Sequence, residues 1–429
     1  MNHFELRDGV MHAEGVSLEV LAAEVGTPAY VYSAATLRRH ARVLRGALDG
    51  HAETRGALIA FAVKANSNLS VLKVLAGEGL GADTVSEGEI RRALAAGIAP
   101  EKIVFSGVGK TDAELAFAIR AGVLEINVES AAELDRLIAV AAGLGARPDI
   151  VFRVNPSVGS GAHAKITTGG ARDKFGAPVE EVMALYARAA ASDHVRPVGL
   201  ACHIGSQITE LSPLKAAFAV LRRMTLDLRA QGLDVHRLDF GGGLGVPYFD
   251  RPGEADPVDY AAVAAEAVRG LDVQLAFEPG RMIAANAGVL LTRVIHVNER
   301  PDGMRFLVLD SAMNDLMRPA LYDAFHDLRP VRPRAGGDGP YDVVGPVCET
   351  GDTFARDRVL PPLEAGDLAA FMTAGAYGAT MANEYNSRPL VPEVLVDGDR
   401  WAVVRARPSY DEMLAREAVA GWLSTEAPE

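Results

Sequence analysis

Lys64 stands in the run Phe61-Ala62-Val63-Lys64-Ala65-Asn66, directly after an apolar stretch of strand length. A lysine there lays its stem along an apolar wall. Burial disfavours its ammonium form, so its pKa is expected to fall, and a neutral amine condenses with an aldehyde. Position alone also suits a lysine whose head reaches solvent. Glu278 closes Leu275-Ala276-Phe277-Glu278 and is followed by Pro279, Gly280 and Arg281. Its carboxylate can hold a protonated ring nitrogen, or it can pair with Arg281. The Pro279-Gly280 pair favours close backbone approach to a ligand. Gly241, Gly242 and Gly243 follow another apolar run. Their N–H groups, with no Cβ in the way, suit a phosphate, although a flexible turn has the same composition. His203 and Ser206 lie in Cys202-His203-Ile204-Gly205-Ser206-Gln207. An imidazole can stack on a planar ring and a hydroxyl can bind phosphate; alone, a histidine such as His203 is more often a core residue.

Taken together, a Schiff-base lysine, a phosphate cup and a ring-nitrogen carboxylate describe a site for pyridoxal 5'-phosphate. No His, Cys and Glu set has metal-ligand spacing, so no metal is expected.

The elements that must position these groups are legible. Eight apolar runs lie between Ala57 and Pro279: ALIAFAV, LGADTV, KIVFSG, VLEINVE, DIVFRVN, PVGLACHI, VHRLDFGG and VQLAFEP. Helix-like stretches rich in Ala, Leu, Glu and Arg separate them. Strands apolar almost throughout fit a parallel sheet buried on both faces. The pattern serves a (β/α)8 barrel or a doubly wound open sheet. The run ends favour the barrel. Lys64, Asp83, Ser106, Asn127, Arg153, His203, the glycines and Glu278 put a polar group at nearly every strand's C-terminal end, where barrel enzymes build their sites.

After about Ala285 the texture is that of short strands, a second, mainly β domain that the N-terminal preface joins. The expected division is 28–284 for the barrel, with 1–27 and 285–429 for the β domain. In the preface, Asp8-Gly9 reads as a hairpin turn, and Ser17 and Gly26 as helix caps. The segment 156–176 is long for a βα loop and reads as a lid or ligand contact. The segment RPVRPRAGGDGPYD reads as a loop.

Composition narrows the function. The 429 residues carry Lys+Arg 43 against Asp+Glu 56, a net charge of −13. That argues against nucleic acid or an anionic membrane as partner. Cysteine occurs twice, at Cys202 and Cys348, which suits a reducing compartment. No basic start with an apolar run marks a secretory signal. A soluble cytoplasmic protein is expected.

The chain resembles the fold-type III pyridoxal-phosphate decarboxylases. FAVKAN, CHIGSQ, DFGGGLG and EPGR look like motifs of the wider family. TTGGARDKFG, MNDLMRPALYDAFH, GPVCETGD and GAYGATMANEYNSRP look like the group acting on diaminopimelate. The resemblance implies that Lys64 bonds the cofactor aldehyde, with Asp83 near it, and that His203 stacks on the ring. Ser206, Gly241–Gly243 and the turn Glu278, Pro279, Gly280, Arg281 surround the cofactor. Arg281, Arg318 and Tyr322 hold substrate carboxylates, Cys348 donates a proton, Glu349 meets the distal ammonium, and Tyr377 touches cofactor and substrate. It further implies a homodimer in which Cys348 and Glu349 cross into the partner's site. One departure stands out: Asp310-Ser311-Ala312-Met313-Asn314 carries Ala312 where the family usually has glycine, which puts the loop leading to Arg318 in question.

The implied reaction is decarboxylation of meso-2,6-diaminopimelate to L-lysine, the last step of lysine biosynthesis. A carboxylate opposite the ring nitrogen favours this over racemisation, for which related alanine racemases place an arginine there. A substrate with a carboxylate at each end needs arginines that ornithine or arginine would not. The rival readings are a decarboxylase of another basic amino acid (D-ornithine, D-lysine, L-ornithine or arginine) and a non-catalytic cofactor-binding relative. Cys202, embedded in an apolar run, reads as core.

Overall fold

The computed structural model describes residues 2–159, 168, 170, 173–248 and 256–423. Eight of its strands close a parallel barrel: β1 Leu58–Ala62, β2 Gly81–Thr84, β3 Ile103–Phe105, β4 Glu125–Val128, β5 Asp149–Asn155, β6 Arg196–Ala201, β7 Arg237–Asp239 and β8 Gln274–Phe277. Each pairs with its neighbours in chain order, and β8 returns to β1 through Ala276 opposite Leu58. The barrel, rather than the open sheet, is therefore the fold. Every expected run supplies one strand.

Local signals set where the surrounding helices begin. Ser86, Thr111 and Ser130 each accept a hydrogen bond from the glutamate N–H three residues on, at the starts of Glu87–Ala95, Asp112–Ala121 and Ala131–Leu144. Such caps satisfy N–H groups that a helix end leaves unpaired. The helix Ala34–Asp49 precedes β1 and packs on Leu69–Gly77 and Pro257–Val268.

The rest of the chain forms a nine-stranded sheet beside a small N-terminal one. The hairpin Phe4–Arg7/Val10–Ala13 turns through Asp8 and Gly9, both at positive φ. Ser17 and Gly26 cap Leu18–Val25 as expected. Phe4, Val10 and Leu18 share an apolar cluster with Val289, Val394 and Val396, so the preface packs on the second domain. The extended segment AYVYS does not sit in the barrel, where the expected boundary at 28 put it. Ala29–Ser33 is a central strand of the large sheet, antiparallel to Gly288–Glu299 and parallel to Glu393–Asp397. Thr353–Leu360 adds a strand that its exposed, charged residues concealed. Residues 331–338 of RPVRPRAGGDGPYD run between strands Leu328–Pro330 and Gly339–Val344. Most of the segment expected to be a lid, within 156–176, lies outside the described residues.

The two domains meet at the barrel mouth. The Tyr377 N–H donates to the Ala65 carbonyl at 2.8 Å, and Asn66 Nδ2 donates to the Gly375 carbonyl at 3.0 Å. Asn68 and Tyr32 both donate to a Glu393 oxygen, at 3.1 and 2.8 Å. The turn that carries Lys64 is thus fixed by the second domain. Among the described residues no helix is long and apolar enough to cross a membrane.

Candidate active site

The 3-10 turn Val63–Ala65 lifts Lys64 from the end of β1 into the mouth. Its Nζ donates to Asp83 Oδ2 at 2.7 Å, from the end of the neighbouring strand β2. The lysine's charge runs against the sequence-based expectation. Burial alone would lower its pKa. The carboxylates of Asp83 and Glu278 outweigh burial, so the ammonium is held above the usual lysine value. The acidic neighbours come from other strands, which a reading of β1 by itself does not reveal.

Glu278 follows β8 and is buried, as is Asp239 at the end of β7. Burial, then the nearby Asp239 and Asp83, push the Glu278 carboxyl well above its ordinary range. Burial and Glu125 raise Asp239 to about 7. Buried carboxyls this close do not all ionise together. Asp83 Oδ1 and Asn127 Oδ1 are buried without a hydrogen-bond partner among the described residues. Unpaired buried acceptors are costly and mark a place where a bound group completes the network.

His203 follows β6. The Gly242 N–H donates to its Nδ1 at 3.1 Å, so the proton of a neutral ring sits on Nε2. Burial, with the positive charges of Arg153 and Lys64, keeps this ring neutral, its pKa well below the usual histidine value. A fixed, uncharged imidazole is suited to stacking on a planar cofactor.

The glycine run is required by space. Gly241 and Gly243 have φ of +62° and +112°. A Cβ on Gly241 would collide with the Cys202 carbonyl oxygen, and one on Gly242 with that of Glu278. A Cβ on Gly280 would lie 3.0 Å from the Tyr377 hydroxyl oxygen. Three loop ends therefore converge in a cradle with no room for side chains on these glycines. Ser206 accepts from Arg281 Nε and Nη2 at 3.2 and 2.9 Å, and the Arg281 guanidinium lies 4.9 Å from the Tyr377 ring centre. An amine, a buried carboxyl, a neutral imidazole and a glycine cradle fit pyridoxal phosphate.

Arg318 begins the short helix Arg318–Tyr322, and its guanidinium lies 5.9 Å from the Tyr322 ring centre. Both Arg281 and Arg318 face the ring of Tyr248, at 5.8 and 5.5 Å. Ala312, where glycine was expected, is buried without a positive φ, so its Cβ imposes no left-handed strain on the loop to Arg318.

Cys348 and Glu349 behave differently. Both are exposed, in the turn after Gly339–Val344. The Cys348 N–H donates to Asn386 Oδ1 at 3.1 Å, and Glu349 Oε2 accepts from the Tyr385 hydroxyl at 3.0 Å. The contacts of the described residues join them to this surface and not to the Lys64 cluster. Cys202 is buried, as expected for a core residue.

Sequence reasoning missed three residues. Asp239 ends β7 just before the glycines, the signal that found Asp83 and Glu278. Tyr248 and His326 come from irregular segments and carry no periodic signal. Among the described residues no group of three or more His, Cys, Asp or Glu could hold a metal ion.

Comparison with known proteins places the chain. Residues 35–285 match the family of pyridoxal-dependent decarboxylases through its pyridoxal binding domain. The chain is 47% identical over 421 residues to the diaminopimelate decarboxylase of Zymomonas mobilis, covering 98% of this chain and 99% of that one. It is 48% identical over 421 residues to that of Pseudomonas aeruginosa, with the same coverage. The crystal structure of diaminopimelate decarboxylase from M. jannaschii in complex with L-lysine superimposes with a TM-score of 0.94, at 34% identity, over 99% of this chain and 100% of that one.

Proposed function

The chain belongs to the pyridoxal-dependent decarboxylases, and from that premise we propose that it converts meso-2,6-diaminopimelate to L-lysine and CO2. The observation that carries the reading is the convergence of Lys64, Asp83 and Glu278 at the barrel mouth, close enough for both carboxyls to act on the lysine's charge. Pyridoxal 5'-phosphate, when bound, supplies the sink for the electron pair that departing CO2 leaves behind.

The chain's own residues do the rest. Lys64 would hold the cofactor aldehyde. Glu278 would keep a proton at the ring nitrogen, and the neutral His203 would cover a ring face. Gly241–Gly243, Ser206, Gly280 and Tyr377 would enclose the phosphate. Arg281 and Arg318, buried and without an acidic partner among the described residues, hold substrate carboxylate. This charge balance supports a substrate with a carboxylate at both ends over ornithine, lysine or arginine. Cys348 returns a proton to the reacting carbon, and Glu349 accepts from the distal ammonium. Their exposure, away from Lys64, supports a homodimer in which each copy completes the other's site, and two cysteines in 429 residues, both free, support a cytoplasmic setting. The cofactor-binding unit is the barrel that follows Ser33, and 285–423 with the N-terminal residues form the β unit.

A substrate panel tests the reading. The protein loaded with pyridoxal phosphate should release CO2 from meso-diaminopimelate and form L-lysine. Clear preference for D-ornithine, D-lysine, L-ornithine or arginine would contradict it.

A further inference from the structure

Arg281 and Arg318 are buried beside one another, yet among the described residues every hydrogen-bond partner of their guanidiniums is neutral. Arg281 donates to the Ser206 hydroxyl and to the Tyr248 hydroxyl. Arg318 Nε donates to His326 Nε2 at 3.2 Å. The Tyr248 ring faces both guanidiniums, and its edge meets the His326 ring at 5.3 Å between centres. His326 Nδ1 lies 3.1 Å from the Met372 carbonyl oxygen.

Those two contacts fix the histidine's state. A carbonyl oxygen only accepts, so Nδ1 carries the proton. A guanidinium N–H only donates, so Nε2 offers its lone pair. Protonation of Nε2 would aim one N–H at another. Burial and the neighbouring Arg318 also disfavour the charged ring, lowering its pKa to about 3.

We propose that His326 and Tyr248 are positioning residues for the substrate carboxylate, neutral acceptors that orient Arg318 and Arg281 without quenching their charge. A carboxylate in the place of His326 would orient Arg318 equally well. It would also form a buried ion pair and compete with the substrate for the same fork. The neutral acceptor leaves both charges to the ligand. This deepens the functional reading above and rests on it for the identity of the substrate.

The test uses the cofactor-loaded full chain, with visible absorbance to report retention of the cofactor. His326→Gln keeps a neutral acceptor and should hold KM for meso-diaminopimelate within about threefold of wild type. His326→Glu should raise KM by about tenfold or more while kcat stays within about threefold, as expected for losing one charge-assisted contact. Tyr248→Phe should raise KM by about threefold to tenfold, and it decides the matter if His326→Glu does not fold. Calorimetric binding of pimelate, a dicarboxylate without amines, supplies a readout independent of turnover. It should weaken in His326→Glu and persist in His326→Gln. Unchanged KM and unchanged pimelate binding in His326→Glu, or in Tyr248→Phe where that variant decides, would overturn the proposal. Wild type that binds pimelate but leaves meso-diaminopimelate intact would overturn the functional reading and leave the pimelate comparison to judge this one.

Discussion

The Lys64 ammonium nitrogen lies 2.7 Å from one oxygen of Asp83, while the other oxygen of that carboxylate is buried without a partner among the described residues. Asp83 therefore does more than orient the lysine. Its charge is foremost among those that hold the amine protonated against burial. In Asp83→Asn that charge is gone, and the pKa of Lys64 falls. The pH midpoint for covalent attachment of added pyridoxal phosphate to the cofactor-free protein, followed by visible absorbance, should drop by about one to two units. An unchanged midpoint would show that Asp83 does not set the charge of Lys64.

Much of this site was legible because it sits where apolar runs stop. Lys64, Asp83, His203, the glycines and Glu278 each lie at or just after the end of a strand whose apolar residues advertise it, and the barrel brings all strand ends to one mouth. Pairing between distant segments was not legible. Ala29–Ser33 reads as a strand, but nothing local says that its partners are Gly288–Glu299 and Glu393–Asp397. The charge of Lys64 was misjudged for the same reason: the carboxylates that decide it come from β2 and β8. Tyr248 and His326 lie outside the helices and strands, and only the folded chain shows them touching the two arginines.

The glycine cradle gives a steric prediction. A Cβ on Gly242 meets a backbone oxygen of Glu278, which cannot swing aside as a side-chain tip can. Gly242→Ala should lose about 1–3 kcal/mol in equilibrium denaturation and bind pyridoxal phosphate more weakly. Wild-type stability together with wild-type cofactor affinity would contradict the packing described.

The proposed sharing of sites between two copies predicts complementation. Lys64→Ala and Cys348→Ala should each be nearly inactive alone, with Cys348→Ala retaining its cofactor. After mixing under conditions that let subunits exchange, half the dimers are hybrids with one intact site each. Activity should return to about a quarter of wild type. No recovery after exchange verified by mass would argue that each chain completes its own site.

The acidic interior gives a pH prediction. The carboxyl of Asp239 is raised from its ordinary value to about 7. The folded state therefore binds this proton more tightly than the unfolded one does, so its contribution is fully present below about pH 4 and is lost as the pH climbs through about 7. Asp239→Asn cannot titrate there. In the cofactor-free protein, the stability of the variant relative to wild type should rise between about pH 4 and 7 and then level off. A difference that stays flat across that window would exclude the shifted carboxyl.

The most direct measurement traps the cofactor's attachment point. Borohydride reduction of the loaded protein, followed by peptide mapping, should place the pyridoxyl group on Lys64, and Glu278→Ala should keep that label while losing most CO2 release from meso-diaminopimelate. A label on another lysine, or undiminished turnover in Glu278→Ala, would contradict the account.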